Sequence, residues 1–524
     1  MNNYSKTIKT IVVVMGLTFF AKFLGFFRDS LLGSKLGANM ESDAYIMALN
    51  STSIVFVSIG SAIVAATIPI IVRLLTKDTK KEAFSFINNL LNILIVISFV
   101  FTLLGELFSK QIIKILASGF ESNKFELTVQ LTQIMFPIII FICITYVFVS
   151  LLQSMEKFKI TSIISLPANV ITILFLCFFS KKYGVKGLAV VTTIGWILQF
   201  VVMLPTLYKE GYRYDFKINW KDDHMKEFFS MILLIIMVAS VSQMNILLDE
   251  KQASFFGHGK ISFLHYANIL YQAVTTTTVL GINTVMFPKF AEKAVSLKEK
   301  QYACFIGSIV EVMIFVLLPM TAGAVILRDP IIGFVFERGE FTHGNTIMTG
   351  LVFASYALGM VSFGILDVVN KAFYAKNNKK IPFLYAIFII IMNMIFNIVW
   401  GKKFDIVGLA IATSISSIIG SIGLLWAFRK EMGYFDTKKL VNTFSKVLLS
   451  CCIMAIIVNL SFTTLDSYFV EKGLIQKVIN IMIPSILGVV VYACVTMKLK
   501  IEQAMTIYGH FVKPMVMKIK GNKA

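Results

Sequence analysis

Residues 128–153 read TVQLTQIMFPIIIFICITYVFVSLLQ, 26 consecutive positions without a charged side chain. The run is continuously apolar rather than alternating, which argues against a half-buried strand. As a helix it would extend roughly 39 Å at about 1.5 Å per residue. The hydrocarbon core of a bilayer is about 30 Å thick. A lipid-exposed chain must satisfy its backbone hydrogen bonds internally, so only helices and closed barrels can cross. The stretch therefore reads as a transmembrane helix.

Working outward, thirteen further runs of the same kind lie near 9–34, 44–75, 84–108, 160–180, 185–208, 228–250, 261–288, 303–327, 346–374, 381–400, 405–428, 441–463 and 474–497. The expected fold is an all-α integral membrane protein of fourteen transmembrane helices. Composition agrees: 57% of the 524 residues are hydrophobic and 15% charged, where a soluble chain carries about 25% charged residues. The first run is too long for a cleavable signal peptide, and no small-residue cleavage site follows it. No connection is long enough to house a soluble catalytic domain.

The chain has 49 Lys+Arg against 29 Asp+Glu, a net charge of +20. With the N-terminus inside, about 31 of the basic residues fall on inner segments and about 15 on outer ones, which predicts that both termini are cytoplasmic. The longest inner loop, Tyr208–Glu227, carries Lys209, Arg213, Lys217, Lys221 and Lys226, and six lysines follow Met497. This excess is read as topological, with anionic lipid headgroups as a secondary contact and nucleic acid excluded as a partner.

Catalytic signatures are missing. The six cysteines sit in apolar runs without CxxC spacing, and the five histidines form no HExxH pattern. There is no GxxxxGK[ST] loop to power transport with ATP. A transporter rather than an enzyme is expected.

Charges inside the apolar runs carry the functional information, because each costs about 2.5–3.5 kcal/mol on insertion scales. The first run contains Ala21-Lys-Phe-Leu-Gly-Phe-Phe-Arg-Asp29. Lys22 and Asp29 are two helical turns apart and share a face; Arg28 points elsewhere unless Gly25 allows a bend. Asp43 opens the second run. Two readings stand: Arg28 and Asp29 snorkel to water at a helix end, or they line a cavity for an anionic substrate. Asp249, Glu311 and Asp367 suggest a proton, a cation or an ion pair. Asn393 and Asn397, at i and i+4, can aim two amide oxygens at one point.

Several segments together resemble the MurJ/MviN family of lipid II flippases, within the multidrug/oligosaccharidyl-lipid/polysaccharide exporter superfamily. They are Lys22-Phe-Leu-Gly-Phe-Phe-Arg28-Asp29, Leu36-Gly37-Ala38, Ser42-Asp43-Ala44-Tyr45, Phe336-Glu-Arg-Gly-Glu-Phe-Thr342, Tyr356-Ala-Leu-Gly359, Lys371-Ala-Phe-Tyr374 and Ser240-Val-Ser-Gln243. The resemblance implies two six-helix lobes in a V, here 1–210 and 225–430. Two further helices at 441–497 would form a lipid-tail groove, and 498–524 a basic cytoplasmic tail. It implies alternating access in the bacterial plasma membrane, moving lipid II from the inner to the outer leaflet. The protein would act as a monomer among cell-wall synthesis enzymes.

Carried over by position, Lys22, Arg28, Asp29 and Asp43 would meet the substrate, Lys22 standing where the family usually has Arg. Some relatives bind sodium, for which the matching positions are Asp249, Asn393, Asn397 and Thr413. The sequence departs at Phe56 and Ile269, where the family commonly has cavity arginines, and at Ser61 and Asn268, where it has acids. These losses bear on the substrate more than on the fold. The alternatives are a flippase for another undecaprenyl-pyrophosphate-linked oligosaccharide and an ion-coupled small-molecule exporter.

Overall fold

A computed structural model describes residues 2–77, 80–468 and 473–509, and the regular structure among them is helical throughout, with no strand. The tail beyond residue 509 and the side chains at 240–242 of the last motif lie outside the described residues. By contact the chain divides into two compact units.

The first unit is Met1–Ser262 together with Arg338–Phe341. Its helices are α1 (Asn2–Leu36), α2 (Met40–Lys77), α3 (Lys80–Leu107), α4 (Ser109–Leu116), α5 (Ser122–Met135), α6 (Ile138–Ser154), α7 (Phe158–Ser162), α8 (Leu166–Phe178), α9 (Ser180–Val201), α10 (Leu204–Lys209) and α11 (Asp223–Ala253). The stretch 128–153 becomes α5 and α6, divided at Pro137, which cannot donate a backbone hydrogen bond. The core joins Phe86, Leu90 and Leu91 of α3 to Val147, Leu151 and Leu152 of α6 and to Phe228 of α11. Because α11 packs on α2, this unit runs past the lobe boundary expected at 210–225. The expected lobes divide the chain by family symmetry, the compact units by contact.

The second unit is Phe263–Glu337 with Thr342–Ala524. It contains most of α12 (Lys260–Ser296), then α13 (Glu299–Ile326), α14 (Arg328–Val335), α15 (His343–Ala357), α16 (Met360–Ala375), α17 (Lys380–Glu431), α18 (Thr437–Tyr468), α19 (Leu474–Lys498) and α20 (Glu502–Ile507). Its core runs from Tyr302, Ile306 and Met313 of α13 through Phe373 and Phe428 to Val447 and Met454. The 52-residue α17 is a hairpin rather than one rod. Asp405 breaks it with a positive φ of 57°, and Asn393 lies 3.0 Å from Thr413, twenty residues on. Gly408 is required at the reversal, since a Cβ there would collide with the Trp400 carbonyl.

Ten helices among the described residues are long and apolar enough to cross a membrane, against fourteen runs read from the sequence. One of the ten is α17, which carries two expected runs. The runs near 9–34, 228–250 and 261–288 form α1, α11 and α12, which are not among the ten. Among the described residues the count of fourteen is not reached.

Candidate functional site

The charged cluster of α1 is held by its own neighbours. The Arg28 guanidinium donates to Asp29 Oδ1 from Nε at 2.9 Å and from Nη2 at 2.7 Å, and from Nη1 to Asn169 Oδ1 of α8 at 3.1 Å. The Arg28 side chain is 35% exposed and that of Asp29 16%. Asp29 thus meets the adjacent Arg28, while Lys22, expected on its face, is exposed. A guanidinium has five N–H donors. The described bonds use three, so two remain for a ligand reaching the open side. Tyr45 of α2 is hydrogen-bonded to Thr192 Oγ1 at 2.9 Å.

Asp43, grouped with Arg28 and Asp29 in the sequence, occupies a different environment. It is fully buried. Lys124 Nζ of α5 donates to its Oδ2 at 2.7 Å, with side-chain exposures of 2% and 0%. Its Oδ1 accepts from the backbone N–H and hydroxyl of Ser262, at 2.8 and 2.7 Å. Lys124 also donates to the Gly257 carbonyl at 3.1 Å. Both carboxylate oxygens are hydrogen-bonded, which a buried ion pair needs to offset its desolvation. Around it the chain closes tightly. The Glu340 N–H donates to the Ser34 carbonyl at 2.9 Å. Gly37 (φ +65°) and Gly339 (φ +59°) lie against backbone with no room for a Cβ. Both therefore need glycine for conformation and for space.

Asp249 is buried on α11 in the first unit. Beside it the buried Glu250 accepts from Asn50 of α2. In the second unit Asn397 Nδ2 donates to Asn393 Oδ1 at 3.0 Å, and Asn393 Nδ2 to Thr413 Oγ1 at 3.0 Å. Of the four positions matched to a sodium site, these three belong to the second unit and Asp249 to the first. Among the described residues no group of three His, Cys, Asp or Glu side chains could hold a metal.

Asp367 resolves as an ion pair. Lys371 Nζ donates to its Oδ2 at 2.7 Å, and Asn283 of α12 donates to the same oxygen. At Phe56 an aromatic contact stands in place of an arginine: its ring meets Phe101 edge-on at 6.5 Å. Sequence reasoning missed Lys124, which it counted as a loop charge. The available signal was the Lys124-Thr128-Thr132 polar stripe at i+4 steps, whose hydroxyls bond back to the preceding turn.

Residues 32–479 match the family described as "Lipid II flippase MurJ". A probable lipid II flippase MurJ of Vibrio cholerae is 25% identical over 509 residues, covering 95% of this chain and 97% of its own length. The lipid II flippase MurJ of Thermosipho africanus is 29% identical over 470 residues, covering 90% and 94%. Among solved structures, a lipid II flippase MurJ in an inward closed conformation matches with a TM-score of 0.79 at 26% identity, over 93% of this chain and 99% of that one. An inward-facing multidrug transporter of the MATE family matches with a TM-score of 0.66 at 12% identity, over 80% and 98%, a likeness of fold.

Proposed function

Because this chain belongs to the MurJ family of lipid II flippases, we propose that the half-open Arg28 guanidinium is the cation on α1 that receives the lipid II pyrophosphate. The protein is a multi-pass flippase of the bacterial plasma membrane, and lipid II is its substrate.

Arginine suits a pyrophosphate because its planar fork presents paired donors to phosphate oxygens. Asp29 and Asn169 hold the fork in place through three bonds. This limits the entropy lost when a phosphate binds the remaining two N–H groups. Asp29 also balances the guanidinium charge while no substrate is present. The observation that carries the reading is this partly exposed, pre-oriented guanidinium within a helix expected to cross the membrane.

We further read the Asp43–Lys124–Ser262 junction as closing the outer side of the first unit. The basic-loop bias puts residues 36–40, 254–260 and 338–341 outside, with both termini in the cytoplasm. A cycle of alternating access that delivers the headgroup to the outer leaflet then has to part these contacts. The chain acts as a carrier without covalent chemistry on the substrate. A sodium ion would take its ligands from Asp249, Asn393, Asn397 and Thr413, whose side-chain oxygens suit a hard cation. Flipping compared in sodium and in potassium decides whether that ion is coupled.

The test is flipping of labelled lipid II in vesicles containing the purified protein, with an outer-leaflet probe. Arg28→Ala is expected to slow flipping about ten- to a hundredfold, and Arg28→Lys to slow it less. Full flipping by Arg28→Ala would remove Arg28 from the binding site while leaving the family assignment standing.

A further inference from the structure

The connection between α10 and α11 has no helix or strand, yet it is fixed along its whole length. Three buried asparagines of α3 act as its template. Asn88 Nδ2 donates to the Arg213 carbonyl at 3.1 Å. Asn89 pairs with Asn219 in both directions, donating at 2.9 Å and accepting its N–H at 2.7 Å. Asn92 Nδ2 donates to the Asp215 and Lys217 carbonyls at 3.2 and 3.1 Å. Side-chain amides thus stand in for the neighbouring strand that an extended backbone normally needs. Both ends are bolted: Lys157 pairs with Glu210 at 2.5 Å, and Arg73 with Glu227.

Tyr212 is buried, its hydroxyl donating to Asn88, and the side chains that follow it are exposed. Tyr214, Phe216, Ile218 and Trp220 are exposed, with Phe216 72% accessible. Arg213, Lys217 and Lys221 alternate with them, opposed within that stretch by Asp215 alone. Glu210 and Glu227 are already neutralised by their partners.

The depth of the strap follows from α3. Its outward apolar residues end at Leu107. About 20 residues are needed to cross the hydrocarbon, so counting back from there places the apolar boundary near Asn88. The three asparagines therefore lie within the first turns of the membrane-crossing part, and the strap lies beside them at the bilayer edge. Aromatic side chains favour that level, and basic side chains there attract anionic headgroups.

We propose that residues 212–220 form a rigid membrane-interface anchor that binds anionic phospholipid headgroups, with Phe216 and Trp220 in the acyl boundary and Arg213, Lys217 and Lys221 at the phosphates. A soluble protein partner is the competing occupant, and the burial level of α3 favours lipid.

The test uses full-length protein whose other tryptophans are replaced (Trp196→Phe, Trp400→Phe, Trp426→Phe), reconstituted in phosphatidylcholine vesicles with or without 30% phosphatidylglycerol. Trp220 emission is expected to fall at least twofold with lipid brominated near the headgroup, less with lipid brominated deep in the chain, and little with aqueous iodide. Quenching is expected to be greater with phosphatidylglycerol present. Arg213→Glu, Lys217→Glu and Lys221→Glu together should erase that difference. Asn92→Ala, which removes the bonds to the Asp215 and Lys217 carbonyls and to the Tyr214 hydroxyl, should reduce bromolipid quenching and raise iodide quenching. Iodide quenching without bromolipid quenching in the Trp220-only protein would overturn the anchor and favour a soluble partner. Equal quenching in both lipid mixtures would overturn headgroup binding.

Discussion

Two ion pairs of the first unit have the same 2.7 Å contact and opposite surroundings. Arg28–Asp29 is 35% and 16% exposed, whereas Lys124–Asp43 is 2% and 0% exposed. The first joins adjacent residues on one helix. The second joins residues 81 apart and is fastened further by Ser262 and Gly257. Distance therefore says little about role. An exposed pair adds about 0–1 kcal/mol to stability and leaves donors for a ligand. A sealed pair is shut off from any ligand by its burial, and its charges depend on each other. The open pair is built to exchange partners, the sealed one to hold segments together.

The largest effect expected of this contrast is on stability. Lys124→Met strands a buried carboxylate, with an expected cost of about 3–5 kcal/mol. Adding Asp43→Asn should restore most of it, because neither charge is then left alone. Thermal unfolding of the detergent-purified variants, at one scan rate, measures both. A single variant within about 0.5 kcal/mol of the parent, the scatter of ordinary surface substitutions, would break the comparison.

Arg28→Ala comes next and should invert the pattern. Stability should change by less than about 1 kcal/mol. Flipping should fall about ten- to a hundredfold, matching the roughly 1.5–3 kcal/mol of a hydrogen bond to a charged group. If the variant instead unfolds easily and the surviving protein flips normally, the two pairs have exchanged roles.

The same contrast explains what the sequence could reveal. Membrane helices are legible because lipid sets one demand, an unbroken apolar run, and 128–153 meets it locally. Arg28 and Asp29 were legible because a charge inside such a run is conspicuous. Lys124 was not, since it stands at the start of its run where loop charges are normal, and its partner is 81 positions earlier. The asparagines of α3 look like ordinary polar interruptions until residues 213–219 are seen lying along them, about 125 positions later. The hairpin in α17 turns at Asp405, a positive-φ position that composition does not mark. Pairings across such distances depend on packing, and a single sequence does not record them.

The smallest effect is expected at a pair of intermediate exposure in the second unit. Glu337, 25% exposed, accepts from Thr346 Oγ1 at 2.7 Å, His343 Nδ1 at 3.2 Å and Lys477 Nζ at 3.2 Å. Burial pushes its carboxyl upward, but the bonds from Thr346, His343 and Lys477 outweigh it and hold the group below the usual glutamate range. A depressed folded value means that the ionised form favours folding. The contribution is complete above the unfolded value of about 4.3 and is lost as pH falls through the lower folded value. Glu337→Gln should therefore flatten the acid side of the stability profile by about 1 kcal/mol or less, with little change in slope above pH about 6. Thermal unfolding of parent and variant across this range measures it. A loss near 4 kcal/mol would class Glu337 with the sealed pair despite its exposure, and burial would no longer be what separates the two kinds.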